Sequence, residues 1–372
     1  MPLNDDFVFR PLPALEDTIH FPFPILNPLG PLAALGGEWG GHGFNVIWRP
    51  NHTPGQDHFL ELNLTLDSIN FDAISGAIPN RGLLQPDINM FGLTYLQQIS
   101  DANLDAGLHI EPGIWAVTPA TSDPAEGPTV VRMASIPHGS TILAQGTAKS
   151  AAGPPAIPNI NILPFFIGDP PGTFNFPEQN LAIPSAFRSP PAQLVGITQA
   201  MVDNPNSVLQ AKIAGQTILS TTTLQVSTQP AAPIVGGGTA NTAFLAGAAD
   251  GPNAVSATVS ATFWIETVKG TPDFLQLQYS QLVLLNFNGL SWPHVTVGTL
   301  KKDVPLIPPI WKVDPDIPIK LLEKVQPPNP PELGAPTRTL VPGKLSRELE
   351  QELKRESKPT HKPEPRTRPE RK

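Results

Sequence analysis

Apolar and polar residues alternate with a period of two along several short stretches of this chain. The clearest stretch runs from Phe59 to Leu66, where leucines at 60, 62, 64 and 66 alternate with mostly polar residues. This pattern is typical of a β-strand with one buried face. Further strands are predicted at 92–99, 108–117, 129–136, 141–145, 217–227, 254–267, 274–286 and 293–300. About ten strands without a fixed repeat predict an all-β protein.

Proline and glycine interrupt the strand pattern between residues 149 and 215. A loop of this length is unusual inside a compact domain. We therefore interpret 149–215 as an insertion that packs on the outside of the fold or covers its rim. The insertion contains one helix signal, because Asn204-Pro205 precedes residues 206–214 and Gly215 follows them.

The pattern divides the chain into four parts. Residues 1–35 are Pro-rich and apolar and predict an extended arm, without the basic and apolar regions of a secretory signal. Residues 36–302 contain the strands, and 303–342 form a Pro-rich extended linker. Residues 343–372 carry 10 Lys/Arg against 6 Asp/Glu and predict a largely disordered tail. This tail is either a solvating segment or a tether to an acidic partner or to the body itself.

Composition narrows the class of protein further. Hydrophobic residues make up 40% of the chain, which is enough for a sizeable core, and the net charge is −8. An acidic balance disfavours nucleic-acid binding by the main body. No apolar run reaches the roughly 18 residues of a membrane helix, so the expected location is cytoplasmic. The chain has no cysteine, and any metal must therefore be held by histidine or carboxylate.

His294 is the most informative of the eight histidines, because it begins the last predicted strand. In a regular strand His294, Thr296 and Gly298 share one face. One imidazole among small residues leaves room for a flat ligand and an axial bond to its metal. The alternative is a buried histidine that donates a hydrogen bond to a backbone carbonyl. No Gly-x-Ser-x-Gly motif is present, and the glycine-rich Gly37–Gly43 stretch lacks the Lys-Ser/Thr of a phosphate loop.

Several windows occur in an order that resembles the nitrobindin family of haem-binding β-barrels. The family has a glycine-rich opening around a tryptophan, a Tyr-x-Gln strand, a Leu-His-x-Glu-x-Gly strand, a turn with His and Pro, and a closing strand that starts at a histidine. The corresponding windows here are Leu35-Gly-Gly-Glu-Trp-Gly-Gly-His-Gly43, Tyr95-Leu-Gln-Gln-Ile-Ser100, Leu108-His-Ile-Glu-Pro-Gly-Ile-Trp115, Ser135-Ile-Pro-His-Gly139 with Ala144-Gln-Gly146, and Pro293-His-Val-Thr-Val-Gly-Thr-Leu-Lys301.

The resemblance covers roughly residues 35–148 and 254–302 and implies a lipocalin-like antiparallel barrel of about ten strands. Together with the Pro/Gly-rich insertion and one or two short helices, this is the expected fold. The resemblance also implies that His294 binds the iron of haem b, which would act on peroxynitrite, nitric oxide or peroxide as an isomerase or a peroxidase-like enzyme. Here Leu300 follows His294 by one residue more than in the family, which predicts a β-bulge or a shifted register in the last strand.

Other residues are candidates for the same pocket. Trp39 and Trp115 are either barrel core or pocket lining, and His42 lies among glycines that would let a ligand approach closely. His109 and Glu111 share a strand face and form either an inward polar site or an outward pair.

Two positions predicted in turns complete the candidates. Arg81 either meets a haem propionate or ends a turn, and His138 is expected to be exposed. The competing function is a metal-free carrier or sensor of an apolar small molecule in the barrel. A third is a structural or interaction protein with a filled interior, in which the Pro-rich arm and the basic tail are adhesive parts.

Overall fold

The structure, a computed structural model, describes residues 27–302 except for 54, 137–138, 232–235 and 249–251. The predictions for residues 1–26, for His138 and for the linker and tail after residue 302 lie outside the described residues.

Ten antiparallel strands close into a barrel, which confirms the predicted fold class. The barrel order is β1-β2-β4-β5-β8-β9-β12-β14-β15-β16, and β16 pairs with β1 to close the sheet. These strands are β1 (Gly37–Thr53), β2 (Gln56–Ala73), β4 (Ile88–Asp101), β5 (Gly107–Thr118), β8 (Thr129–Ser135), β9 (Ser140–Ala152), β12 (Ile218–Ser227), β14 (Val255–Val268), β15 (Phe274–Phe287) and β16 (Leu290–Lys302).

Short elements decorate the barrel. The minor strands are β3 (Ile78–Asn80), β6 (Thr121–Ser122), β7 (Ala125–Glu126), β10 (Phe165–Phe166), β11 (Asp169–Thr173) and β13 (Gly238–Asn241). The described residues form three α-helices, α1 (Gln199–Asp203), α2 (Ser207–Ile213) and α3 (Ala243–Ala246), and two 3-10 helices at Gly30–Leu32 and Pro177–Gln179. Helix α2 is the predicted one, and Gly215 beyond its end adopts a φ of +81°. Across this part of the chain, no helix combines the length and the apolar character that a bilayer crossing requires.

The apolar face of β2 points out of the barrel, not into it. Leu60 and Leu62 belong to a buried cluster with Trp48 of β1 and with Ile162 and Leu209 of the insertion. The alternate residues of β2, which are polar between 61 and 67, face the interior. The predicted strand is therefore present, but its leucines form an outer core that the insertion covers.

Backbone hydrogen bonds attach the insertion to β2. Strand β4 pairs only with residues 65–73 of β2, so the first half of β2 has an open edge. Residues 187–189 fill this edge, because Leu60 donates to the Phe187 carbonyl at 2.9 Å and accepts from the Ser189 amide at 3.0 Å. The segment therefore extends the wall of the barrel locally.

A second core fills one end of the barrel interior. It contains Leu32 and Leu35 from the first 3-10 helix and its C-terminal flank, together with Trp39, Trp115 and Leu300 from the strands. The Trp39 indole donates to the Leu35 carbonyl at 2.6 Å. This core closes the end of the barrel where β1 begins and β16 ends.

Strand β16 is regular, so of the two predicted alternatives the bulge is absent. Its pairing with β1 and with β15 runs without a register shift from His294 to Leu300. His294, Thr296 and Gly298 consequently share the inner face, because they are cross-strand partners of inward-facing residues of β15.

Candidate functional site

A cavity of about 410 Å³ occupies the other end of the barrel interior. It lies where β1 and β15 end and where β2, β5, β9, β14 and β16 begin. Its walls are mainly aliphatic and aromatic: Ile47, Ile99, Leu108, Ile136, Phe244, Leu245, Val283 and Leu285. Its polar lining includes Asn45, Gln97, His109, Tyr279, Gln281, His294 and Thr296, together with the charged residues Arg49 and Glu61. A concave, mostly apolar cavity with a few polar groups is the usual form of a small-molecule site.

Two predicted histidines line this cavity. His294 lies on β16 opposite Ile47 of β1, and His109 lies on β5. The structure also places Glu111 inside the barrel, where its Oε2 atom lies 3.2 Å from Nε2 of His109. The pair is therefore inward-facing, which is one of the two arrangements that the sequence allows.

Tyr279 fills the space expected beside Gly298. A Cβ atom added at Gly298 would lie 2.5 Å from the Tyr279 ring, its cross-strand partner. Gly113 and Tyr95 form the same kind of pair, again with a 2.5 Å approach. The two tyrosines thus pack over glycines and separate the cavity from the core at the closed end.

A buried ion pair lies beneath the cavity. Arg132 donates from Nη2 to Glu111 Oε1 at 2.5 Å, from Nε to the Tyr95 hydroxyl at 2.9 Å and from Nη1 to Gln281 Oε1 at 2.6 Å. Tyr95 in turn donates to Glu111. Burial alone would raise the pKa of Glu111, but Arg132, with His109 and Tyr95, lowers it to about 2. Glu111 and Arg132 are therefore both charged at neutral pH.

A second buried carboxylate, that of Asp67, also lies beneath the cavity. Among the described residues, no cationic side chain contacts it. It accepts hydrogen bonds from the Tyr279 hydroxyl and from Gln97 Nε2, the latter at 3.2 Å. Burial raises the pKa of Asp67 to about 6, although these two hydrogen bonds act in the opposite direction. Asp67, Glu111, Arg132, Tyr279 and the two glutamines form what we call the floor of the cavity.

The other candidate residues lie away from the cavity. Trp39 and Trp115 are buried in the core at the closed end. His42 is exposed on β1, and its neighbours Gly41 and Gly43 face β16 closely. Arg81 forms an exposed ion pair with Asp87 at 2.6 Å. Of the residues proposed to hold haem, the structure therefore brings His294 and His109 to one cavity and leaves Trp39, His42 and Trp115 outside its lining.

Sequence reasoning misses most of the floor. It does not single out Asp67, Arg132, Tyr279 or Gln281, although each stands in a predicted or observed strand among apolar neighbours. The sequence signal that could reveal them is the alternation of polar with apolar residues along the strands. A charged residue at an inward position of a barrel needs a buried partner, so each one predicts a second polar residue nearby.

Comparisons with known proteins add no relative. No family model matches this chain, and no curated protein resembles it at a significant level. Within the described part of the chain, no group of three or more His, Asp or Glu side chains is arranged to hold a metal ion. The barrel and its cavity are thus the basis for any functional conclusion.

Proposed function

We propose that this protein binds a small, largely apolar molecule in the barrel cavity, and that the molecule is haem held by His294. The observation that carries the proposal is the position of two imidazoles, His294 and His109, in the wall of one apolar cavity of a closed ten-stranded barrel. Neutral imidazole is a strong ligand of haem iron.

Two features of the cavity support haem as the ligand, its imidazole donors and its aliphatic walls. His294 would supply the axial nitrogen, and the aliphatic walls would exclude water from the macrocycle. When bound, ferric haem supplies an iron centre with a coordination position for peroxynitrite, nitric oxide or peroxide. The Tyr279 ring occupies the space beside Gly298, so a group held by His294 would have to lie on the side of this ring that faces the cavity.

The polar floor favours a second candidate, a metal-free carrier of an organic molecule. Gln97, Tyr279 and Gln281 line the bottom of the cavity and offer hydrogen bonds to a ligand that carries polar atoms. In this form His294 and His109 would be polar contacts and not metal ligands.

Hemin titration followed by absorption spectroscopy tests the proposal. The full-length protein should shift the Soret band of hemin with a stoichiometry of one, and His294→Ala should lose that shift while keeping its circular dichroism. His42→Ala is the matched control, because His42 is exposed on the outer side of β1. An unchanged spectrum for His294→Ala would reject the ligand assignment. The absence of any shift in the natural protein would leave the metal-free carrier.

A further inference from the structure

Two glutamines at the floor of the cavity have their amide groups oriented by buried charges. Arg132 donates from Nη1 to Gln281 Oε1 at 2.6 Å, so the oxygen of that amide is engaged and its Nε2 donor is left for the cavity. Gln97 has the opposite orientation. Its Nε2 donates to Asp67 at 3.2 Å and to the Tyr279 hydroxyl at 3.1 Å, which leaves its Oε1 as an acceptor.

Asn45 supplies a second acceptor in the same row of side chains. Thr296 of β16 pairs with Asn45 on one side and with Gln281 on the other. Asn45 is 2% exposed and lines the cavity, and its Oδ1 atom has no hydrogen-bond partner among the described residues. A ligand N–H group that reached this oxygen would satisfy an acceptor that is otherwise buried and unpaired.

The charges around the floor are already engaged. Glu111 is paired with Arg132, and Asp67 accepts from Tyr279 and Gln97. At the mouth, Arg49 is paired with Glu61 at 2.9 Å. An ionised carboxylate on the ligand would therefore approach two buried carboxylates, and the one guanidinium among the described residues that line the cavity already has an acidic partner.

We infer that the floor recognises an uncharged carboxamide group, with Gln281 Nε2 donating to its carbonyl oxygen and Gln97 Oε1 and Asn45 Oδ1 accepting from its NH₂. The inference rests on the second proposed function, the metal-free carrier, because haem has no carboxamide group. It adds the chemical class that the floor selects, a neutral amide attached to an apolar body, and it names Gln281, Gln97 and Asn45 as the residues that determine specificity.

A pair of probes of nearly equal shape tests the inference. 2-Naphthamide and 2-naphthoate share the apolar ring system and differ in the charge and hydrogen bonding of one group. Calorimetric titration of the full chain at pH 7.5 should show 2-naphthamide binding at least about tenfold more tightly than 2-naphthoate, as expected when buried polar partners are matched in one ligand only. Equal affinities, or tighter binding of 2-naphthoate, would overturn the inference.

Gln281→Glu examines the donor directly. The substitution keeps an oxygen for Arg132 and removes the N–H donor, so the affinity for 2-naphthamide should fall by roughly tenfold. Gln225→Glu is the matched control, because Gln225 is exposed on β12 between two inward residues and should leave binding unchanged. Unchanged 2-naphthamide affinity in a folded Gln281→Glu protein would also overturn the inference. If Gln281→Glu does not fold, the comparison of the two probes on the natural protein decides alone.

A parallel hemin titration separates this inference from the proposed function. Binding of hemin without binding of 2-naphthamide rejects the carboxamide site and leaves the haem proposal standing. Failure of both ligands rejects both proposals.

Discussion

At the scale of single residues, the interior of this barrel is organised around charges. Arg132 is 1% exposed and Glu111 is fully buried, and their contact is supported by Tyr95 and Gln281. Removing one member of a buried ion pair leaves an uncompensated charge, whereas removing both can be nearly neutral. The pair therefore constrains how this interior tolerates substitution.

Double-mutant analysis of this pair has a clear expected outcome. Glu111→Leu and Arg132→Met should each lower the free energy of unfolding by about 3–5 kcal/mol, because each leaves its partner buried and unpaired. The double variant should be more stable than either single variant. Urea denaturation measures all three, and additive losses in the double variant would contradict the prediction.

Asp67 gives the protein a pH-dependent contribution to its stability. Its pKa is about 6 in the folded protein against 3.8 for an ordinary aspartate side chain, so the folded state holds the proton more tightly than the unfolded chain does. The contribution is complete below about pH 3.8 and is lost as the pH rises through 6. Two pKa units correspond to roughly 3 kcal/mol. The difference in urea midpoint between wild type and Asp67→Asn should therefore shift against wild type as the pH rises from about 4 to 7.

Tyr279→Phe supplies the companion measurement for Asp67. The Tyr279 hydrogen bond lowers the pKa of this carboxyl, so its loss should move the upper end of the pH window above 6. A difference between wild type and Asp67→Asn that does not vary with pH would refute the account.

At the scale of elements, the strand β2 shows what the hydrophobic pattern establishes and what it leaves open. The alternation from 59 to 66 correctly predicts a strand, because its period of two is local. The pattern does not state which of its two faces meets the barrel interior. That choice depends on the insertion, whose Ile162 and Leu209 cover the leucines from outside.

The candidate site is predictable only in part, for the same kind of reason. His294 stands out in the sequence because it begins a strand of small residues, and Gly298 on its face suggests open space. Its cross-strand neighbour Tyr279 fills that space, and cross-strand register is a long-range property. The inward direction of Asp67 and Arg132 likewise follows from register and not from local pattern.

Helix α2 should contribute to stability without affecting the ligand. Leu209 is fully buried in the outer cluster, so Leu209→Ala should cost about 2–5 kcal/mol in the free energy of unfolding. Leu219→Ala is the control, because Leu219 is 42% exposed and should change stability by less than about 0.5 kcal/mol. Thermal unfolding measures the change in stability, and titration with hemin and 2-naphthamide measures the affinity of the cavity. A loss of ligand affinity in Leu209→Ala would show that the outer core shapes the cavity.

At the scale of the whole molecule, closure of the barrel depends on the seam between β1 and β16. Gly43 faces Gly298 across this seam, and a Cβ atom at Gly43 would lie 2.1 Å from the Val297 carbonyl oxygen. The close approach leaves no room for a side chain. Gly41 and Gly43, which in the sequence suggest room for a ligand beside His42, are therefore a requirement of strand closure.

Gly43→Ala should weaken the seam selectively. Backbone displacement at Val297 should lower the unfolding midpoint strongly and increase amide exchange in β1 and β16. Gly36→Ala is the control, because a Cβ atom there meets nothing within 4 Å. Equal exchange in the two variants would refute the assignment of Gly43 to the seam.

Tyr95 and Tyr279, which pack against glycines, also determine how a ligand enters and leaves the barrel. Above Tyr95 and Tyr279 the lumen is hollow, and beneath them it is packed as far as Leu32 and Trp39. Among the described residues, one end of the barrel is packed and the other contains the cavity. A ligand would therefore enter and leave by the same route, past Phe244 and Arg49. A substitution at the rim that narrows this route without touching the bound molecule should slow association and dissociation by the same factor and leave the affinity unchanged.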